Sequence, residues 1–297
     1  MKILLTGATG FIGANLWRIL LERGHDVMGV SRQPPAGNER ESMVSHVCHV
    51  MGESLPDRVV SFSPEVLVHL AWDGIPDFSA KICADNVAAQ VKFLGETEKL
   101  NSLKKILVSG SCREYGDRKG LCQEAETLPS DSYFSWAKQT LSDYFRLACQ
   151  QRNINLLWFR LFYVYGPGQR SASLIPSLLQ SVREGLEPEI KNPSSAHDFI
   201  YIDDVVYAFV KGIEDKKSSG ILNLGSGRIV SVFEVVEIVM DLLRGDTSPS
   251  RKRIRSLGEE TLKSGMIASI SQSERVLAWT PRIGLPEGIE KTWKLSS

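Results

Sequence analysis

The stretch Thr6-Gly7-Ala8-Thr9-Gly10-Phe11-Ile12-Gly13 decides the fold. It stands between Lys2–Thr6, an apolar run of strand character, and Phe11–Glu22, a helical pattern with Leu16, Ile19 and Leu20 on one face. Gly7 suits the tight turn, Gly10 lets a pyrophosphate approach the backbone, and Gly13 permits close packing of helix on strand. The first N–H groups of the helix then face the phosphates. Glycines alone are ordinary loop residues. Strand, turn and helix in this order make the stretch a dinucleotide cradle.

Outward from the cradle, short apolar runs alternate with helical stretches. Asp26–Val30, Glu65–Ala71, Lys105–Ser109 and Asn155–Leu161 read as strands, and the segments around Cys83–Leu100 and within Asp131–Gln151 read as helices. This alternation predicts an α/β chain of Rossmann type, a doubly wound parallel sheet covered on both faces. After Gly166-Pro167-Gly168 the pattern becomes irregular, with helices near Leu174–Glu184 and Val232–Leu243. Gly245–Glu259, with Arg251-Lys252-Arg253, reads as an exposed loop whose charges form a solvated face. The expected division is a dinucleotide-binding domain at 1–165 and 198–226, and a smaller α/β substrate domain at 166–197 and 227–297.

Composition narrows the function classes. The 297 residues carry 35 Lys+Arg against 35 Asp+Glu, so no net field favours nucleic acid or an anionic membrane. No apolar run reaches the roughly 20 residues that span a bilayer. Met1–Gly7 meets glycine too early for a secretory signal. The five cysteines, at 48, 83, 112, 122 and 149, are dispersed and odd in number, which reads as reduced thiols in a cytoplasmic protein. His46 and His49 flank Cys48 on a strand, where ordinary side chains are expected rather than metal ligands.

The end of the second strand bears on the cofactor. An NAD site places Asp or Glu there for the ribose 2′-hydroxyl. Here Val30 is followed by Ser31 and Arg32, a hydroxyl and a guanidinium suited to a 2′-phosphate. NADP(H) is therefore the expected cofactor and NAD(H) the alternative.

The chain resembles the extended short-chain dehydrogenase/reductase family, its nucleotide-sugar epimerases, dehydratases and ketoreductases. Beyond the glycine motif, the resemblance runs through His69-Leu70-Ala71, Asn86, Ser109–Gly116 and Arg160–Gln169. It continues through His197–Val205, Asn223–Gly227 and Arg275–Pro281. It implies hydride exchange between a nicotinamide and a sugar carbon, assisted by Ser/Thr, Tyr and Lys. Carried over by position, Ser111 is the hydroxyl four residues before Tyr115-Gly116, and Lys138 is the lysine of Tyr-x-x-x-Lys. Cofactor contacts are implied at Gly7, Gly10, Phe11, Ile12, Gly13, Leu70, Ala71, Lys138 and Phe162, and substrate contacts at Trp72, Arg113, Tyr163, His197 and Arg255. A homodimer through the helices around 83–100 and 131–151 is also implied, with Val87, Val91 and Leu94 as the candidate apolar face.

Three departures from the family pattern matter. Phe134, not tyrosine, stands four residues before Lys138, and Tyr133 is five away. On a helix, i and i+4 differ by about 40° and i and i+5 by about 140°, so Tyr133 should point elsewhere. Cys112-Arg113 occupies the place of the Asp-Glu pair of 4,6-dehydratases and cannot supply paired carboxylate chemistry. Tyr163 and His197 replace the usual Asn and Arg. These features lead to an NADPH-dependent 4-ketoreductase of a nucleotide-linked 4-keto-6-deoxy sugar, in which Phe134 removes the usual proton donor. The alternatives are an epimerase with bound NAD(P) and a non-catalytic NADP-binding sensor.

Overall fold

The structure is a computed structural model and describes residues 1–33, 45–126, 129–187, 190, 192–193, 195–244 and 265–295. Arg255 and the segment expected as a loop around Arg251–Arg253 lie outside the described residues.

The central element is a seven-stranded sheet. Its strands are β1 (Lys2–Thr6), β2 (Asp26–Ser31), β3 (His46–Cys48), β4 (Val66–His69), β5 (Lys105–Ser111), β7 (Asn155–Leu161) and β11 (Gly220–Leu224). The strand order is β11-β7-β5-β4-β1-β2-β3. The pairings β1–β2, β2–β3, β1–β4 and β4–β5 are parallel. The chain runs outward from β1 to β3 and then returns to place β4 on the other side of β1. That reversal opens a crevice at the carboxyl ends of β1 and β4, the usual place for a ligand in such sheets.

Burial follows from the residue pattern. Ile3, Leu4 and Leu5 are fully buried, as are Leu67 and Val68, because helices cover both faces of parallel strands. Helix α1 (Phe11–Glu22) buries Leu16, Trp17 and Leu20. Trp17 packs against Gly29 of β2, where a β-carbon would come within 1.3 Å of its ring. After α2 (Asp57–Phe62), helix α3 (Ala80–Glu96) ends four residues short of the Leu100 expected for it, and a 3₁₀ turn, Thr97–Lys99, follows. Arg152 fastens that end by donating to Thr97 Oγ1 and to its carbonyl, each at 2.8 Å. Helix α4 (Tyr133–Gln151) starts on Ser132, whose hydroxyl accepts the N–H of Ser135.

One expectation is corrected here. The Val87–Val91–Leu94 face packs on the chain's own core: Leu94 is buried, and Val87 and Val91 lie against the cluster that includes Leu103, Leu141 and Phe145. Side chains three or four residues apart on a helix share one face, and this face is taken up by the chain's own core. The outward residues of these helices are Ala84 and Ala88 on α3 and Trp136, Tyr144 and Leu147 on α4.

The chain forms two compact units, Met1–Asp117 with Thr127–Arg160 and Val206–Leu222, and Arg118–Glu126 with Leu161–Val205 and Asn223–Ser297. This division differs from the one drawn on sequence pattern. Arg118–Glu126 joins the second unit because β6 (Gly120–Cys122) pairs in parallel with β13 (Met266–Ala268). The Asn223 amide also donates to the carbonyls of Cys122 and Ser269. Residues 161–165 join it through β8 (Tyr163–Tyr165), which pairs with β10 (Phe199–Tyr201).

Candidate functional site

In the first unit the glycine turn has the geometry a dinucleotide needs. Gly7 has φ +68°, and a β-carbon there would lie 2.9 Å from the Ala71 nitrogen. A β-carbon on Gly13 would lie 2.1 Å from the Gly7 carbonyl oxygen. Gly10 caps α1, and no side chain occupies that cap. The open amino terminus, set beside the crevice, fits a pyrophosphate. At the end of β2, the Ser31 hydroxyl donates to the Gln33 carbonyl and its oxygen lies 2.7 Å from Nε2 of His46. Arg32 is exposed and paired with Asp73, which lies beyond β4. Both candidate 2′-phosphate contacts are therefore engaged within the chain. His49 is buried beside Phe93, and Cys48 is exposed.

Beneath the crevice runs a buried hydrogen-bond chain. The Ala71 N–H donates to Thr6 Oγ1 at 3.4 Å, Thr6 Oγ1 lies 2.8 Å from His69 Nδ1, and His69 Nε2 lies 3.1 Å from Gln90 Oε1. Burial pushes the His69 pKa down to about 4, against the hydrogen bond to Gln90, which raises it. A neutral ring donating from Nε2 and accepting at Nδ1 satisfies this chain. The imidazole is stacked between Phe93 and Phe145 at 5.0 and 5.6 Å. Farther along, Asn86 accepts the Asp73 N–H and donates to the Asp73 carbonyl. Leu70, Ala71 and Trp72 are thus held between two fixed ends.

The candidate reactive group lies at the end of β5. Ser111 caps a 3₁₀ turn, Cys112–Tyr115, and its oxygen accepts the Arg113 N–H at 3.2 Å. The Glu114 carboxylate reaches back to the Ser111 N–H at 2.8 Å. Cys112 is buried, and Arg113 pairs with Asp131 at 3.3 Å. On α4, Phe134 and Lys138 share one face. Phe134 meets Trp72 edge-on at 5.1 Å and Phe78 at 4.5 Å. Lys138 is buried, donates to the Ser109 carbonyl at 2.9 Å and lies 4.3 Å over the Trp72 ring. Burial lowers its pKa to about 8, opposed by the Glu114 charge. Tyr133 points to solvent at 59% exposure, so the ring on the Lys138 face is the phenyl. The Trp72 indole N–H is buried with no partner among the described residues.

In the second unit, the Tyr163 and His197 rings meet at 3.9 Å with a tilt of 30°, and Phe199 lies against both. Asp198, which follows His197 in the chain, is buried and accepts N–H groups from Ser226, Gly227 and Ala268, which fixes the strand that carries His197. Phe162 is buried, and its N–H donates to the Leu224 carbonyl.

The chain matches the NAD dependent epimerase/dehydratase family over residues 3–225. It belongs to that family. Among curated proteins it is 26% identical to the dTDP-4-dehydro-6-deoxyglucose reductase of Escherichia coli, with 98% of this chain and 96% of the relative covered. It is 24% identical to the UDP-glucose 4-epimerase of Mycolicibacterium smegmatis, with 98% and 97% covered. The UDP-glucuronic acid 4-epimerase of Bacillus cereus, solved in complex with NAD, superposes with a TM-score of 0.83 at 20% identity. That superposition covers 100% of this chain and 98% of the other, and the likeness is one of fold. Epimerase/dehydratase family members thus share this sheet, and their reactions divide among epimerisation, dehydration and reduction. No helix among the described residues is long and apolar enough to cross a membrane.

The structure adds Glu114 and Gln90, and Asp73 as the partner of Arg32, to the residues marked by sequence pattern. Ser111-Cys112-Arg113-Glu114 has the Ser-x-x-Glu spacing of a capping box, which was the available signal for Glu114. Asp73 and Gln90 carry no such signal, because their partners lie 41 and 21 residues away.

Proposed function

We propose that this chain reduces the 4-keto group of a nucleotide-linked 4-keto-6-deoxy sugar, using NADPH. The observation that carries this reading is the placing of Ser111 on β5 and of Phe134 and Lys138 on one face of α4, with Cys112 and Arg113, not an Asp-Glu pair, directly after Ser111. The nicotinamide, when bound, exchanges a hydride with the sugar carbon. Gly7, Gly10 and Gly13, with the first turn of α1 at Phe11 and Ile12, hold the pyrophosphate. Leu70, Ala71 and Phe162 line the dinucleotide. Lys138 spends one N–H on Ser109 and keeps the others for the ribose. Ser111 accepts the Arg113 N–H, which leaves its own hydrogen to donate to the sugar oxygen as charge grows there. Phe134 seals the aromatic wall with Trp72 and Phe78 and has no proton to give, so water supplies the proton that the alkoxide takes up after the hydride has added to the carbonyl carbon. Tyr163, His197, Arg113 and Arg255 take the nucleotide diphosphate, and Trp72 takes the sugar. The reductase of Escherichia coli among the relatives supports this substrate class.

The test is oxidation of NADPH on addition of dTDP- and UDP-linked 4-keto-6-deoxy sugars, with the 4-hydroxy product identified by NMR. Absence of net oxidation with every such sugar would reject the reading. A second reading, an epimerase with retained NAD, is favoured by Asp73, a carboxylate paired with Arg32 near the end of β2. Interconversion of UDP-sugar epimers without net change in the dinucleotide would establish it. The chain works, in either case, as a cytoplasmic homodimer, with the outward faces of α3 and α4 in contact.

A further inference from the structure

Glu114 is a buried acid that the family reading gives no task. Its side chain is fully enclosed, and donors from three residues on β5 and β7 converge on it. The Ser111 N–H reaches Oε1 at 2.8 Å, and the Trp158 Nε1–H lies 2.9 and 3.1 Å from the two oxygens. The Arg160 Nε–H reaches Oε2 at 2.9 Å, and its guanidinium lies 4.5 Å from the Tyr115 ring centre. A capping carboxylate at an exposed turn needs none of this enclosure. Burying an acid with a single arginine is costly, and a hydrophobic pair of similar volume often serves stability as well. The expense points to a task beyond the cap.

The position of Lys138 supplies that task. Its neighbour Gln139 donates to the Glu114 carbonyl at 2.7 Å, so the turn and α4 are tied together beside the ammonium. The groups around Lys138 are otherwise poor in compensating charge. Strand β5 offers the Ser109 carbonyl, β4 offers His69, and the loop after β4 offers the Trp72 ring. Its own helix offers the Phe134 ring at 5.9 Å. His69 is a neutral imidazole at pH 7, and Arg160 on β7 stands behind Glu114. Arg113 and Asp131 are paired with each other. Lys138 and Glu114 bind β5 two residues apart, at the Ser109 carbonyl and the Ser111 N–H, so Glu114 is the acid placed to favour the charged lysine.

We propose that Glu114 is a positioning residue that keeps Lys138 protonated at neutral pH while holding Ser111 as a hydrogen-bond donor. The proposal rests on the roles given to Ser111 and Lys138 above. Its chemistry is simple: a buried ammonium tends to shed its proton, and a nearby fixed anion opposes the loss. Arg160 both anchors that anion and offsets part of its field, so Glu114 and Arg160 act on Lys138 with opposite signs.

The test reads the lysine directly. In full-length protein carrying 13C-labelled lysine, the Lys138 resonance is identified by its loss in Lys138→Arg, and its titration is followed by NMR. In the unaltered chain the midpoint is expected near 8. Glu114→Gln should make Lys138 lose its proton at least threefold more readily, moving the midpoint down by about half a unit or more. Arg160→Gln should move it up. A general loosening of the fold admits water and drives both midpoints up together, so opposite shifts separate the field from mere damage. An unmoved or raised midpoint in folded Glu114→Gln overturns the proposal. If that variant does not fold, judged by circular dichroism, an unmoved or lowered midpoint in Arg160→Gln overturns it instead. Opposite shifts in a chain that reduces no 4-keto sugar would leave the electrostatic role standing and remove the reductase reading alone.

Discussion

At position 134 the chain carries a phenyl ring where its sequence resemblance implies a phenol. Phe134 sets that ring against Trp72 and Phe78, while Tyr133 faces solvent. General acid assistance is typically worth about 10²–10⁴-fold, so Phe134→Tyr should raise turnover by about that factor. The gain belongs in kcat, with KM little changed, because the hydroxyl acts mainly in the transition state. Steady-state kinetics with the 4-keto sugar checks this, and a gain confined to KM would count against it. At the other end of the crevice, Arg32→Ala should weaken NADP(H) by about 1.5–3 kcal/mol, the range for a charge-assisted hydrogen bond. NAD(H) should be nearly unaffected. Calorimetry giving equal losses for both dinucleotides would remove Arg32 from the 2′-phosphate.

Among the elements, the β1–turn–α1 unit has almost no slack. Gly13→Ala puts a methyl group 2.1 Å from the Gly7 carbonyl oxygen, so the helix must retreat from the turn. Overpacking of this kind costs about 1–3 kcal/mol, and the retreat should weaken dinucleotide binding as well. Thermal melts with and without NADPH measure both losses, and an unchanged ligand-induced shift would argue against the cradle. The strand ends β1 and β4 are joined through His69, whose pKa of about 4 lies below the ordinary 6.5. Between those values the unfolded chain binds a proton that the folded chain refuses. Stability is therefore complete above about pH 6.5 and falls as pH drops toward 4, by up to about 3 kcal/mol. Urea unfolding should show a shallower acid loss for His69→Gln than for the unaltered chain. Parallel curves would assign the acid sensitivity to other groups.

For the whole molecule, the prediction concerns assembly. Trp136, Tyr144 and Leu147 are 41%, 39% and 50% exposed on α4, and Ala84 and Ala88 are exposed on α3, the helix packed beside it. Small residues on one helix and large apolar ones on its neighbour suit helix packing against a second copy. Sedimentation at micromolar concentration should show twice the chain mass, and Leu147→Glu should return it to the monomer without lowering the melting temperature. A monomer in the unaltered chain would reject the dimer.

Much of the fold was legible in local pattern. The glycine turn, the apolar strands on either side of it and the amphipathic helices are short-range features, decided by chirality, hydrogen bonding and burial over a few residues. The same is true of Phe134 against Lys138, since helical spacing alone puts them on one face. Only the tertiary structure decided what faces them. It set Arg32 against Asp73, closed the Thr6–His69–Gln90 chain beneath the crevice, and brought Trp158 and Arg160 onto the acid that holds Ser111. It also turned Val87, Val91 and Leu94 inward and carried Arg118–Glu126 into the second unit. Those outcomes join residues many tens of positions apart. The sequence determined which groups were available to pair, while the order and twist of the strands chose the pairs.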